Sequence, residues 1–422
     1  MLVALLAFVS IGAQKLSATV VVVGNCMSGV TFSTIQAAVN AVPPGLTIRV
    51  CPGSYPEQVV INKPLTLAGV TSGTSGAAVI VSPVGGLVQN ATSYFGSPIA
   101  AQIFIQGTTS SSPTVNLTDL VVDGYGNNVS GCSPNIVGIF YQDASGTVNH
   151  VTTTNQAIDV QPDGCQLGLG IFAQSDDIGG TSNVTVENSS VHNYQKNGIT
   201  GNEIGTTINV LNNNVVGYGP TTGAAQNGIQ IGFGATGRVT GNTVNDDIWV
   251  GTGWAASGIL LYDAANSITI SQNTVGSAQF GIALASDGTP GTPTDDAEII
   301  TSNKISGSQG DSIDACTNGN SIRSNTIMDS GESAIHLDDE CSSTDSGGTT
   351  GNNNSAIQNT IVDACAGILL GSGTGNTFAP NAYYTTANTT LAGDLCSLPP
   401  SQHKPAGKRR ARGAAAYRAA RP

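Results

Sequence analysis

Two stretches late in the chain hold the side chains best suited to chemistry. Gly310-Asp311-Ser312-Ile313-Asp314 supplies two carboxylates, and Ile335-His336-Leu337-Asp338-Asp339-Glu340 supplies three more beside an imidazole. Carboxylates grouped around a histidine can do general acid–base work on a sugar ring, cleave a glycosidic bond, or hold a cation. Asp314, His336 and Asp338 are the candidate catalytic groups. Asp311, Asp339 and Glu340 are candidate metal ligands, with Ca²⁺ the cation such an oxygen-rich set favours. The competing reading is a solvated acidic edge on an acidic protein, with His336 an ordinary surface residue. The choice depends first on whether the fold brings 311–314 against 336–340.

A recurring phrase between residues 184 and 370 implies that it does. Its first half is a small residue followed by isoleucine: Gly198-Ile199, Gly228-Ile229, Gly258-Ile259, Gly281-Ile282, Ser312-Ile313, Ala334-Ile335 and Gly367-Ile368. Its second half is an apolar residue, two spacers, Asn, a spacer and another apolar residue. That half places Asn214, Asn242, Asn273, Asn303 and Asn325 at steps of 28, 31, 30 and 22 residues. A period that varies above a constant minimum describes a solenoid coil carrying loops of variable length.

Side chains alternate along a strand. If the isoleucines face inward, residues one and three places further on face outward and stack coil upon coil. Asp314 and His336 then share one outward column and Asp338 lies in the next. Phe140 and Phe172 sit in the first of these columns, a sugar-stacking platform unless a loop from residues 71–113 covers them. The Asn column reads as structural, because stacked amides hydrogen-bond along a ladder at a tight turn and tolerate left-handed backbone. His192, Lys196 and Arg238 read as isolated surface residues.

Composition agrees with a turn-rich all-β chain: 54 Gly, 10% charged residues and 5% aromatics. The one stretch with helical apolar spacing is residues 33–42, where Ile35, Ala38, Val39 and Val42 share a face behind a Ser/Thr cap. A short amphipathic helix of this kind suits the open end of a solenoid. The net charge of −13 is unevenly spread, since residues 404–422 hold seven of the 14 basic residues and no acid. The body therefore carries 7 basic residues against 27 acidic ones. Such a body excludes nucleic acid as a ligand and suits a polyanion only through a bridging Ca²⁺.

Eight cysteines in so polar a chain suggest an oxidising compartment. Leu2–Ala13 has the length and apolarity of a signal-peptide core, although no basic residue precedes Lys15. It is too short to span a bilayer, and nothing later is a transmembrane candidate. The expected organisation is a leader over 1–18, one all-β solenoid domain over 19–400 and a disordered basic tail over 401–422. Coil phase brings Cys132 against Cys165, within reach of a disulfide across neighbouring strands. The other expected pairs are Cys26–Cys51, Cys316–Cys341 and Cys365–Cys396.

The opening segment Phe32–Val70 resembles the first coil of right-handed parallel β-helix proteins of the pectin lyase-like superfamily, and Gly53-Ser54-Tyr55-Pro56-Glu57 matches its Gly-x-Tyr-x-Glu pattern. The repeats carry the resemblance from about residue 30 to about 375. It implies the fold, and an extracellular carbohydrate as substrate or ligand, but no particular activity. The catalytic phrases of pectin methylesterases, pectate lyases, polygalacturonases and mannuronan epimerases are all missing, and Gly310-Asp311-Ser312-Ile313-Asp314 is a poor copy of one polygalacturonase phrase alone. The expectation is therefore a monomeric, secreted, periplasmic or cell-surface protein that binds polysaccharide, glycan or a partner on its solenoid face, NosD-type accessory proteins being one version. The alternative is a polysaccharide lyase, glycoside hydrolase or epimerase working through residues 311–340.

Overall fold

The structure, a computed structural model, describes residues 20–71, 76–108, 111–158, 164–175, 179–286, 294–338, 351–386 and 388–392. The expected leader and basic tail lie outside them. The described chain winds into a parallel β-helix with three faces. The first face is a 13-stranded sheet that begins with strands Val30–Phe32, Val21–Val23 and Thr47–Val50 and ends with Ser355–Ile357. The second face begins with Gly53–Pro56 and the third with Val59–Ile61. The second and third faces count as one 23-stranded sheet because long strands such as Thr326–Leu337 run from one to the other around the bend. Successive parallel strands joined by crossovers wind right-handed.

The isoleucine phrase is the spine of the third face. Ile171, Ile199, Ile229, Ile259, Ile282, Ile313, Ile335 and Ile368 are register partners in turn, all pointing into one continuous core. The small residue before each one lies where a neighbouring backbone comes close. A Cβ on Gly198 would meet the carbonyl oxygen of Gly228 at 2.5 Å, and one on Gly281 that of Ser312 at 2.4 Å.

The asparagine column is real but shifted by one residue at its start. Asn213, not Asn214, belongs to the ladder: the backbone N–H of Asn213 donates to Asn242 Oδ1 at 2.8 Å, and the amides of Asn242, Asn273, Asn303, Asn325, Asn359 and Asn381 continue it. Asn214 is exposed at the start of the next strand. The left-handed backbone belongs to the residue before the ladder members from Asn213 to Asn359, as at Asn212, Gln272, Ser302 and Ser324 with φ of 55°, 58°, 59° and 57°. One residue turns the chain and the next pins the turn to the coil above.

Helix Ile35–Ala41 closes the N-terminal end, burying Ile35, Ala38 and Val39. Thr34 caps it, its Oγ1 accepting from Ala37 N–H at 3.2 Å. Glu57 of the Gly-x-Tyr-x-Glu phrase also caps it: Ile35 and Gln36 N–H donate to its two carboxylate oxygens at 2.8 and 2.9 Å. Tyr55 of the same phrase donates to Cys51 O at 2.7 Å. These motif residues thus hold the first coil together. Cys26–Cys51 and Cys132–Cys165 are disulfides with Cα–Cα separations of 5.6 and 5.5 Å. Cys316 and Cys365 are disulfide-bonded as well, while Cys341 and Cys396, the partners expected for them, lie outside the described residues. Among the described residues no helix is long and apolar enough to cross a membrane.

Candidate functional site

Strand Ile313–Ala315 and the end of strand Thr326–Leu337 are adjacent on the third face, with Asp314 opposite His336. Asp311 reaches across from the turn before, where Ser333 N–H and Ser333 Oγ both donate to its Oδ1 at 2.9 and 2.6 Å. Its other oxygen, Oδ2, lies 3.2 Å from His336 Nδ1. Asp338 Oδ2 and Asp314 Oδ1 lie 3.5 and 3.7 Å from the same nitrogen. Three of the six candidate residues therefore converge on the imidazole of a fourth. Asp339 and Glu340 lie outside the described residues.

A solvated edge is not what forms here. Asp311, Asp314 and Asp338 keep 0%, 1% and 2% of their surface exposed and His336 keeps 5%. On the coil before, Ala283 lies opposite Asp314, and on the coil after, Leu369 lies opposite His336, each within a buried apolar group. Burial draws His336 toward its neutral form, but the carboxylates, Asp311 foremost, outweigh it and hold the ring proton up to about pH 9. At neutral pH His336 is thus an imidazolium clasped by carboxylates.

The cluster also offers a donor set for a cation, since ligand atoms of Asp311, Asp314 and His336 all lie within 4.8 Å of one another. The carboxylates suit Ca²⁺, but the ring nitrogen suits a transition metal better. Any cation using that nitrogen must first displace its proton. Cys316 Sγ, close to Asp314 and Asp338, contributes no thiolate and no proton because it is disulfide-bonded.

The outward columns differ from expectation in one general way: they are buried along their length. Phe140 and Phe172 stack at 4.8 Å with Phe104 at 5.4 Å beyond Phe140, beneath the chain around Ala91. Phe104 follows Ile103 as Phe140 follows Ile139, so the repeat already marked its place. Further along, Asn197, Asn227, Thr200, Gln230 and Asn202 form a buried chain of amide and hydroxyl hydrogen bonds. Lys196 is buried too, correcting its reading as a surface residue. Its ammonium donates to Ala225 O, stands 5.9 Å from the Trp254 ring, and is pushed down by burial to about pH 7.

Buried acids elsewhere escaped the sequence reading. Asp247 accepts from Tyr194 OH at 2.6 Å inside the coil. Glu298 occupies the slot held by Asn320 and Asn354 on the following coils. Aligning Glu298-Ile299-Ile300 with Asn320-Ser321-Ile322 would have revealed an acid in an asparagine position.

The chain adopts a parallel β-helix fold. No protein-family model matches the sequence, and no curated protein matches it either. Among solved structures, the chain is similar to the Dettilon tailspike protein, with 16% identity, a TM-score of 0.54 and coverage of 83% of this chain. It spans 63% of the tailspike chain's length. It is similar to the A-module of the Azotobacter vinelandii mannuronan C-5 epimerase AlgE4, with 15% identity, a TM-score of 0.50 and coverage of 85% and 95% of the two chains. It is also similar to a lacto-N-biosidase of Eubacterium ramulus, with 12% identity, a TM-score of 0.54 and coverage of 89% and 68%.

Proposed function

We propose that this protein is an exported, carbohydrate-active β-helix protein and that it works on a glycan at the Asp311, Asp314, His336 and Asp338 cluster. The observation that carries the reading is three carboxylates meeting one imidazole in an otherwise largely apolar stretch of the third face. Burying that much charge costs stability, and proteins keep such arrangements where function needs them. His336 is the proton donor, Asp311 holds it in position, and Asp314 and Asp338 supply the base or nucleophile. Oxygens of these last two lie within 4.8 Å of each other, which suits paired carboxylates flanking a sugar bond. The epimerase and the lacto-N-biosidase that share the fold are carbohydrate enzymes by name, which supports the substrate class. The disulfides support export to an oxidising compartment.

A second reading, glycan binding without turnover, is favoured by the low exposure of the cluster, in which His336 keeps only 5% of its surface. The test is a panel of pectin, alginate, xylan and neutral glucans, assayed for binding and for released ends, with added Ca²⁺, added Mn²⁺ and a chelator. Product from at least one polymer supports the first reading. Retention without product supports the second, and neither binding nor product removes both. A Ca²⁺ role fails if chelation changes nothing.

A further inference from the structure

We propose that Tyr94 and Phe95 form a docking patch for a neutral glycan, separate from the acid–histidine cluster. Residues 91–99 double back as a hairpin in which Ala91-Thr92 pairs antiparallel with Pro98-Ile99. Its turn is closed by Ser93 N–H to Ser97 O at 2.9 Å and Gly96 N–H to Ser93 O at 2.8 Å, with Gly96 at φ +78°, a conformation glycine tolerates. The hairpin lies against the third face and is tied to it. Gln142 Nε2 donates to Thr92 O at 2.9 Å, Tyr94 N–H donates to Gln174 Oε1 at 3.0 Å, and the Asn90 amide brackets the backbone of Ala101.

The underside of this hairpin covers the Phe104, Phe140 and Phe172 stack. Its tip carries Tyr94 and Phe95, 38% and 52% exposed, with ring centroids 4.6 Å apart and planes at 73°. Two large rings are thus held partly in water on a backbone fastened at several points. Rings presented this way lose little conformational freedom on binding.

The chemistry around the rings selects the ligand. No Asp, Glu, Lys, Arg or His occurs between Lys63 and Asp119. The side chains beside the rings on the hairpin that reach water are the exposed Thr92 and the half-buried Ser97, both uncharged, while the amides of Gln142 and Gln174 are buried beneath and hold the hairpin in place. A pyranose offers an apolar C–H face to an aromatic ring and hydroxyls to hydroxyls. An acidic body with an uncharged patch disfavours a polyanion at this place. The patch is distinct from the cluster, because Gln174 and Asp338 occupy one column six strand steps apart, about 29 Å at strand spacing.

This inference rests on the carbohydrate reading and adds the ligand class and the residues that hold it. Electrophoresis of the full chain through gels containing glucomannan, arabinoxylan, laminarin or alginate tests it, with the double variant Tyr94→Ala/Phe95→Ala beside Asp338→Asn. The expected result is retardation of wild type and of Asp338→Asn by at least one neutral polysaccharide. The double variant should lose apparent affinity tenfold or more at an unchanged unfolding midpoint. Equal retardation of wild type and double variant overturns the patch. Retardation by alginate alone overturns the neutral class and leaves the carbohydrate reading standing. Retardation by none of the gels overturns the patch, and when no polymer yields product either, the carbohydrate reading falls with it.

Discussion

His336 and Asp311 stand on successive coils, with Nδ1 of the imidazole 3.2 Å from the Asp311 carboxylate, and that contact does most to set the charge of the cluster. With the ring proton held up to about pH 9 against an ordinary value of 6.5, the folded state binds a proton that the unfolded chain gives up earlier. The stability this contributes is full below about pH 6.5 and is lost as pH rises through about 9. An NMR titration of the imidazole should show the raised value in wild type. Asp311→Asn should bring it down by a unit or more, and an unshifted titration would show that Asp311 does not clamp the ring.

Glu298 gives a pH dependence at a second place. Its carboxyl is buried, and the backbone amides of Ile268 and Ser267 face it without closing full hydrogen bonds, so burial pushes it up to about 9. The folded state keeps the proton, so stability is greatest below the ordinary value near 4.5 and falls as pH rises toward 9. Glu298→Gln supplies a permanently neutral side chain of the same shape. It should raise stability by on the order of 2–3 kcal/mol at pH 7, with the gain shrinking toward pH 4.5 in parallel denaturant titrations.

The asparagine ladder predicts a sharp contrast between neighbouring positions. Asn273 accepts from the backbone and side chain of Asn242 at 2.9 and 3.0 Å and donates to Val239 O and Asn303 Oδ1, both at 3.0 Å. Asn273→Ala leaves several buried groups unpaired and should cost about 3 kcal/mol. Asn214→Ala, outside the ladder, should change stability by less than about 0.5 kcal/mol. Chemical denaturation of the two variants decides between the two phases.

That contrast marks how far the sequence was legible. The isoleucine column, the coil phase and the meeting of Asp314 with His336 could be read directly, because a period-2 pattern on a stacked sheet leaves one register. The phase slipped at Leu211-Asn212-Asn213-Asn214, where three successive asparagines satisfy the same spacing twice. Burial of the cluster could not be read, since alternation along a strand gives the side a residue faces but not what lies over that side. Lys196 was misjudged for the same reason: its cover is the irregular segment around Trp249 and Trp254, far away in sequence.

The N-terminal cap is held by a side chain from another element. Glu57→Ala frees the first two backbone N–H groups of helix Ile35–Ala41. It should cost about 1–2 kcal/mol and speed amide exchange at Ile35 and Gln36, while exchange along the third face stays as it was.

The central claim is that the charged cluster exists for chemistry at a cost in stability. Asp338→Asn tests it most directly, with product release from the responsive polysaccharide and the thermal unfolding midpoint measured on one preparation. The account predicts that product release falls at least a hundredfold while the midpoint stays level or rises, because one buried negative charge is gone. Full product release from the variant would contradict it.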